Sequence, residues 1–421
     1  MRVLSTSLIG ARSAAAALAR VVAVSFLTSC GPAATPPPRL TASEAMQFPW
    51  DSVTARARST TVTWRMWRGD PSINAYVDGW LGPRLLERYG ITLRTIEGQG
   101  AEIVNQLLVE RDAKSTGSTD LLWINGETFA QLREAQLLFG PWASRLPSAY
   151  AVDSASHIIM RDFQQPLDGY ESPWGSVQFA LIYDSARTPE PPRTLAELAA
   201  WIRTHPGRFT HDQNFNGVTF LKTAMYALHG GPAPFTSGFD STRYVAASDS
   251  LFRWLGALTP AFWRRGTAYP PGVADLHRLF ANGEIDFTMS PNQNDVITKI
   301  RQGILPSTAR ALLLRDGTIA NAHYVGIPSN APNAAGAMVV ANLLLSAEAQ
   351  AEKAKPDVWA DGTVLDRARL TPADAAFFAS TGTDPHAIPA DSLAKYARPE
   401  VHPTYHAKLA ADWKAKIRRG P

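Results

Sequence analysis

Thr61-Val62-Thr63-Trp64-Arg65-Met66-Trp67, closed by Arg68-Gly69-Asp70-Pro71-Ser72 and followed from Ile73 to Tyr89 by apolar residues three and four apart, decides the fold class. Alternation of period two predicts a strand, Gly and Pro predict its end, and the following spacing predicts a helix. The unit recurs: Ile91 to Ile96 reads as a strand before a helix over Ala101 to Ala113. Asp120-Leu121-Leu122-Trp123-Ile124 reads as another, running into Asn125-Gly126-Glu127 and a further helix. Strands alternating with helices predict parallel βαβ units in an α/β protein. In such sheets ligands sit at the carboxyl ends of strands, so the loops after Trp67 and Ile124 are the first places to look for a site.

Beyond these units, the run from Asp168 to Phe179 is extended and aromatic but carries Pro173 and Gly175, which suits a bending crossover into the apolar Ala180 to Asp184. A second series follows. Thr194 to His205, Phe215 to Leu228, Asp249 to Leu258 and Val273 to Ala281 read as helices, with Arg208 to Thr210 and Glu284 to Met289 as strands. Asn321 to Ile327 is strand-like and carries the chain back, and Ala334 to Leu345 and Pro403 to Ile417 read as helices. This order predicts two α/β lobes around a cleft, joined by two crossovers. Residues 61–175 with 325–421 form the first lobe, whose C-terminal helices pack in part on the second, and 176–324 form the second lobe.

The one cysteine among 421 residues, Cys30, follows Leu27-Thr28-Ser29 and precedes the Pro-rich Gly31 to Pro38. A lone thiol forms no internal disulfide. A small-residue cleavage site ending in Cys, after a basic and apolar leader, is what lipid transfer and signal cleavage require. The expectation is a signal peptide over 1–29, lipidation at Cys30 and a tether over 30–60, with the protein periplasmic or otherwise extracytoplasmic and held to the membrane by lipid. Removing 1–29 takes away Arg2, Arg12 and Arg20 and no acid, so the formal charge of +4 loses three and becomes +1. With no basic run left, there is no electrostatic case for nucleic acid. About 390 residues remain, more than one core ordinarily supports.

Candidate solute contacts follow from the loops. Ser72 is placed to cap a helix whose free amides receive an anion beside Arg68; the alternative pairs Arg68 with Asp70. Asn125, Gly126 and Glu127 combine close backbone approach with polar groups. Tyr170, Glu171 and Trp174 suggest a stacking wall with one carboxylate for a cation, unless Trp174 packs the hinge. Asn214 and Phe215 open a helix, and Asn292 and Tyr324 adjoin strands. Trp67 and Asp70 complete the set. Asp212 to Gly217 opens like a calcium loop, but its twelfth position is Thr223 where a bidentate Glu is needed. His402 and His406 read as a surface pair without a third ligand. Nucleophile elbows, His-Glu-x-x-His and phosphate-binding Gly-Lys loops are absent, so no catalytic residue, metal or cofactor is expected.

Four segments, Trp123 to Glu127, Asp168 to Gly175, His205 to Thr210, and Val325 to Pro332 with Ala341 to Ser346, resemble in order and spacing the extracellular solute-binding proteins of family 1, in a YnjB-type branch. That resemblance implies a type II periplasmic-binding-protein fold, a small-molecule solute, and an ABC permease with its ATPase as partners. After the first strand, this chain has Trp67-Arg68-Gly69-Asp70 where the branch has a Trp-Gly-Gly-type turn. The combined expectation is a monomeric, lipid-anchored solute-binding component of an ABC importer, its solute an organic cation of thiamine-like or polyamine type. A surface hydrolase using Glu127 and Glu171, or a ligand-sensing lipoprotein, are the alternatives.

Overall fold

A computed structural model describes residues 40–419 except 383; Cys30, the leader and the start of the tether lie outside the described residues. The rest of the expected tether is not extended. It forms helices α1 (Ala42–Gln47) and α2 (Trp50–Ala57). Thr41 and Glu44 close a capping box on α1, and Val53 and Ala57 are buried in the first core.

The opening stretch folds as β1 (Thr61–Met66), then α3 (Pro71–Asn74), which continues through a π-helical turn at Ala75–Leu81 into α4 (Gly82–Tyr89). Next come β2 (Thr92–Glu97), α5 (Ala101–Asp112), β3 (Leu121–Ile124) and α6 (Glu127–Glu134). Parallel pairing holds here: Thr61 lies opposite Thr92 and Trp64 opposite Leu121. A small hairpin, β4 (Arg161–Asp162) with β5 (Gln165–Pro166), precedes β6 (Glu171–Gln178) and β7 (Ala180–Asp184).

Then come α7 (Leu195–Thr204), α8 (Phe215–Leu228), α9 (Ala233–Thr236), α10 (Ser241–Leu258), α11 (Val273–Ala281), β8 (Phe287–Ser290), α12 (Asp295–Arg301) and β9 (Ala309–Leu312). The chain ends with β10 (Thr318–Gly326), α13 (Ala334–Leu345), α14 (Ala347–Ala354), α15 (Pro372–Ala379), α16 (Ala390–Tyr396), β11 (Ala397–Arg398) and α17 (Pro403–Arg419). Arg208 to Thr210 is not a strand. No single helix among the described residues is long and apolar enough to cross a membrane.

The expected bend at Pro173 and Gly175 lies within a strand and coincides with a bulge: Gly175 faces His323 and Pro173 faces Tyr324, leaving Trp174 as the extra residue. β6 runs antiparallel to β10 with a register shift at His323/Tyr324, and no other strand pairs with it. An edge strand tolerates a proline that has no N–H to donate. The larger sheet runs β11-β10-β3-β1-β2 with β6 also on β10, while β8-β7-β9 form a second sheet in which both neighbours are antiparallel to β7. Parallel pairing is therefore confined to β1 with its two neighbours and to β10 with β11.

Two large cores match the two sheets. One is built around Trp64, Trp142, Trp174 and Tyr324, the other around Phe209, Phe220, Phe287 and Leu312. The chain passes between the sheets at Phe179 and again between Leu312 and Thr318. It passes a third time after Arg398, where Val401, Tyr405, Leu409 and Trp413 enter the second core.

Candidate functional site

The ends of β1 and β3 meet β10 at a cluster of aromatic rings. Trp123 on β3 lies 6.5 Å from Trp67, one residue past β1, and 5.2 Å from His323 on β10, whose ring stacks on Trp359 at 5.5 Å. Trp67, Trp123 and His323 are each partly exposed. Asn125 fixes the wall from below: its Oδ1 accepts from Trp123 Nε1 at 3.0 Å and its Nδ2 donates to the Ala322 carbonyl at 2.8 Å. Across from it, Asn294, at the start of α12, donates to the Ala360 carbonyl at 3.1 Å.

Behind His323 lies a buried charge set. Asp361 contacts His323 Nε2 at 3.3 Å and Lys353 Nζ at 2.8 Å. Burial pushes the Asp361 carboxyl up, but Lys353 and His323 outweigh it and hold it below the usual range. Gly175 makes this approach possible, since a Cβ there would meet Asp361 Oδ2 at 2.2 Å. Trp174, 0% exposed, packs at 4.9 Å from Trp123, 5.3 Å from Trp359 and 5.5 Å from Trp64. It supports the wall and presents no face to a solute.

At the lip, Arg68 forks onto Asp78, with Nη1 3.0 Å from Oδ1, and also donates to Thr95 at 2.7 Å, rather than pairing with Asp70. Asp70, not Ser72, caps α3: its Oδ1 accepts from the Ser72 amide at 2.7 Å, and Pro71 fills the first helical position. Ser72 Oγ instead accepts from Gln302 at 2.7 Å.

A second constellation lies where α6, α8 and α17 converge. Lys222, 0% exposed, donates to both oxygens of Glu400 at 2.7 and 2.6 Å, with the Phe163 and Phe215 rings 4.8 and 5.5 Å from its Nζ. Gly126, at φ 59°, donates its amide to Asp162 and packs on Phe163. Glu127 is half-buried, and desolvation raises its carboxyl against the pull of Lys414 and Lys222. His406 is buried against Phe163 at 5.1 Å rather than at the surface, and burial pushes its imidazole well below the ordinary value.

The crossover wall expected from Tyr170, Glu171 and Trp174 does not form. Tyr170 precedes β6, Glu171 is enclosed beside Asp162 and Trp174 lies in the ring cluster, so the three do not share one face. Tyr170 lies outside, its ring 3.5 Å from Arg133, beside Leu132, Gln136 and Leu138. Glu171 is 1% exposed with neither carboxyl oxygen hydrogen-bonded; burial and nearby Asp162 push its carboxyl well above the ordinary value. Tyr324 is buried, its hydroxyl near the carbonyls of Ile158, Ile159 and Arg161.

Asn214 is exposed and bonds to the Pro271 carbonyl; Phe215 is 41% exposed. Asp212 Oδ1 accepts from the amides of Asn214 and Gly217, which makes this loop a helix entry. Asn292 is buried and accepts from the Asn294 amide at 2.9 Å. Trp123, His323, Trp359, Asp361 and Lys222 are not among the sequence-derived candidates. Only Lys222 carries a signal, a lone charge inside the apolar α8.

A family model described as "Bacterial extracellular solute-binding protein" matches residues 84–379. The chain is 36% identical over 326 residues to Protein YnjB of Escherichia coli (strain K12), covering 76% of this chain and 84% of that protein. Among solved structures, it is similar to one described as a putative spermidine/putrescine ABC transporter from Listeria monocytogenes, with TM-score 0.58, 16% identity, and 84% and 98% of the two chains covered. It is also similar to the periplasmic binding protein AfuA from Actinobacillus pleuropneumoniae with fructose-6-phosphate bound, with TM-score 0.59, 14% identity, and 85% and 99% covered. Iron-bound HitA from Pseudomonas aeruginosa gives TM-score 0.55, 15% identity, and 85% and 99% covered. The fold is thus the type II fold of periplasmic binding proteins.

Proposed function

The chain belongs to the bacterial extracellular solute-binding proteins, the solute-binding components of ABC transporters, and from this premise we propose that it captures an organic cation, of thiamine-like or polyamine type, against the Trp67–Trp123–His323–Trp359 wall. The observation that carries this reading is that Trp67, Trp123 and His323 are partly open, with buried Trp359 backing them, while the cations nearby are already paired: Arg68 with Asp78, Lys299 with Asp70 and Lys353 with Asp361. An anion needs a free positive partner, whereas a cation over such rings gains about 0.5–2 kcal/mol per ring. Asn125 and Asn294 supply the orienting amides. The protein acts by binding and not by chemistry. As a monomer tethered through lipid on Cys30, it passes the solute to a permease and its ATPase.

The test is a thermal-shift screen of thiamine, spermidine, putrescine, sugar phosphates and neutral sugars. At 100-fold the Kd, a bound solute stabilises by about 2.7 kcal/mol. A shift with a cation that Trp123→Ala abolishes and Tyr170→Ala leaves intact is expected. Shifts confined to anions or sugars, or equal in both variants, overturn the reading. Membrane fractionation of Cys30→Ser checks the anchor: the variant is expected in the soluble fraction.

A further inference from the structure

Helix α12 belongs to the second core through Val296 and Ile297, yet four polar side chains on it or at its ends reach partners attached to the first core. Asn294 donates to Ala360, Lys299 lies 2.8 Å from Asp70, Arg301 lies 3.0 Å from Asp384, and Gln302 donates to Ser72. On the opposite side, Ile73, Trp359 and Phe378 anchor these partners in the first core.

Lys299 differs from the other three in having a second carboxylate on its own helix. Asp295 Oδ1 is 3.5 Å from its Nζ, and the ammonium group is nearly buried between the two acids. Asp295 is itself held by His277 Nε2 at 3.4 Å, and His277 Nδ1 meets Thr288 at 2.8 Å. Asp70 is secured independently, since its other oxygen caps α3. Both acids therefore keep a polar partner whether or not Lys299 is shared between them.

We infer that Lys299 is a positioning residue that latches the two lobes together by pairing with Asp70 and rests on Asp295 when the cleft opens. Opening admits water to the ammonium but parts it from Asp70; a resident carboxylate one helical turn away keeps it paired and makes the latch reversible. The inference rests on the two-lobe binding reading above, and it identifies the side-chain exchange that sets how firmly the cleft stays closed around a solute.

Small-angle X-ray scattering of the full chain without solute tests it and needs no knowledge of the ligand, so its failure is distinct from failure of the cation reading. The wild-type curve is expected to match the arrangement described here. Lys299→Met and Asp70→Asn are each expected to increase the radius of gyration, the double variant no further than either single one, and Lys299→Arg to restore compactness. Asp295→Asn removes the resting partner and is expected to stay compact. Unchanged dimensions in both Lys299→Met and Asp70→Asn overturn the latch, as does a wild type already expanded. Opening by Asp295→Asn as far as by Lys299→Met overturns the exchange. Should Lys299→Met misfold by circular dichroism, Gln302→Ala, which removes only the Ser72 contact, is expected to give a smaller expansion, and no expansion there counts against the latch.

Discussion

Replacing Lys222 by Met removes the cation of a pair that is 0% and 3% exposed and leaves Glu400 in the second core. Its remaining donors are the Val401 amide and Asn321 Nδ2, both at 3.3 Å, and Asp162 adds a second acid nearby. Removing one partner of a buried pair costs about 3–5 kcal/mol, because the orphaned charge stays desolvated. With about 2.1 cal/mol/K of unfolding entropy per residue over roughly 380 residues, 4 kcal/mol lowers the melting temperature by about 5 °C. The companion variant Lys222→Met/Glu400→Leu replaces both charges with apolar volume and is expected to recover most of that loss. Differential scanning calorimetry at neutral pH is the assay. A single variant melting within about 1 °C of wild type, or a double variant no better than the single, would show that the pair is solvated or otherwise satisfied and refute the argument.

Trp174→Ala empties the centre of the ring cluster and is expected to cost about 3–5 kcal/mol of stability by urea titration, a folding defect beyond any effect on solute. Gly126→Ala places a Cβ 2.7 Å from the Phe163 ring at φ 59°, and is expected to cost about 1–3 kcal/mol in backbone strain alone, read from the urea midpoint. His211 gives a pH dependence: burial lowers its imidazole from 6.5 to about 4. The unfolded chain binds a proton in that interval that the folded chain refuses, so this contribution is complete above the upper value and is lost as pH falls to the lower, about 3 kcal/mol in all. Asp162 and Glu171, raised in the fold, act with the opposite sign. The difference between wild type and His211→Phe isolates the histidine, and parallel stability curves for the two proteins from pH 7 to 4 would count against its burial.

Legibility in the sequence followed local regularity. α8 and α13 match their expected bounds because each is a long apolar run with a cap at its start or a break at its end. α1 and α2 were hidden by the Pro-rich residues before them: the capping box of α1 is local to Thr41 and Glu44, but the burial of Val53 on α2 depends on α13, nearly 300 residues later. Site residues divided in the same way. Asn125 was legible because the end of a parallel strand is a position with a rule attached. His323 and Trp359 were not, since only the pairing of β10 with β3 and the return after α14 bring them to Trp123. Glu171 misled because a carboxylate between two aromatics reads as a cation contact, whereas the pairing of β6 with β10 encloses it beside Asp162.

The chain's third passage between the sheets bears on when the protein can fold. The second core draws on residues from Phe179 onward but is completed by Val401, Tyr405, Leu409 and Trp413, and the first core, begun at Leu40, waits for Ala334 to Leu345. Synthesis proceeds from the N-terminus, so the first core cannot close before α13 has been made, nor the second before Trp413 of α17. Contacts so distant in sequence also form slowly. A nascent chain of this topology keeps both interiors open through most of its synthesis, the condition in which a protein destined for the outside of the cell can still be threaded through a narrow pore.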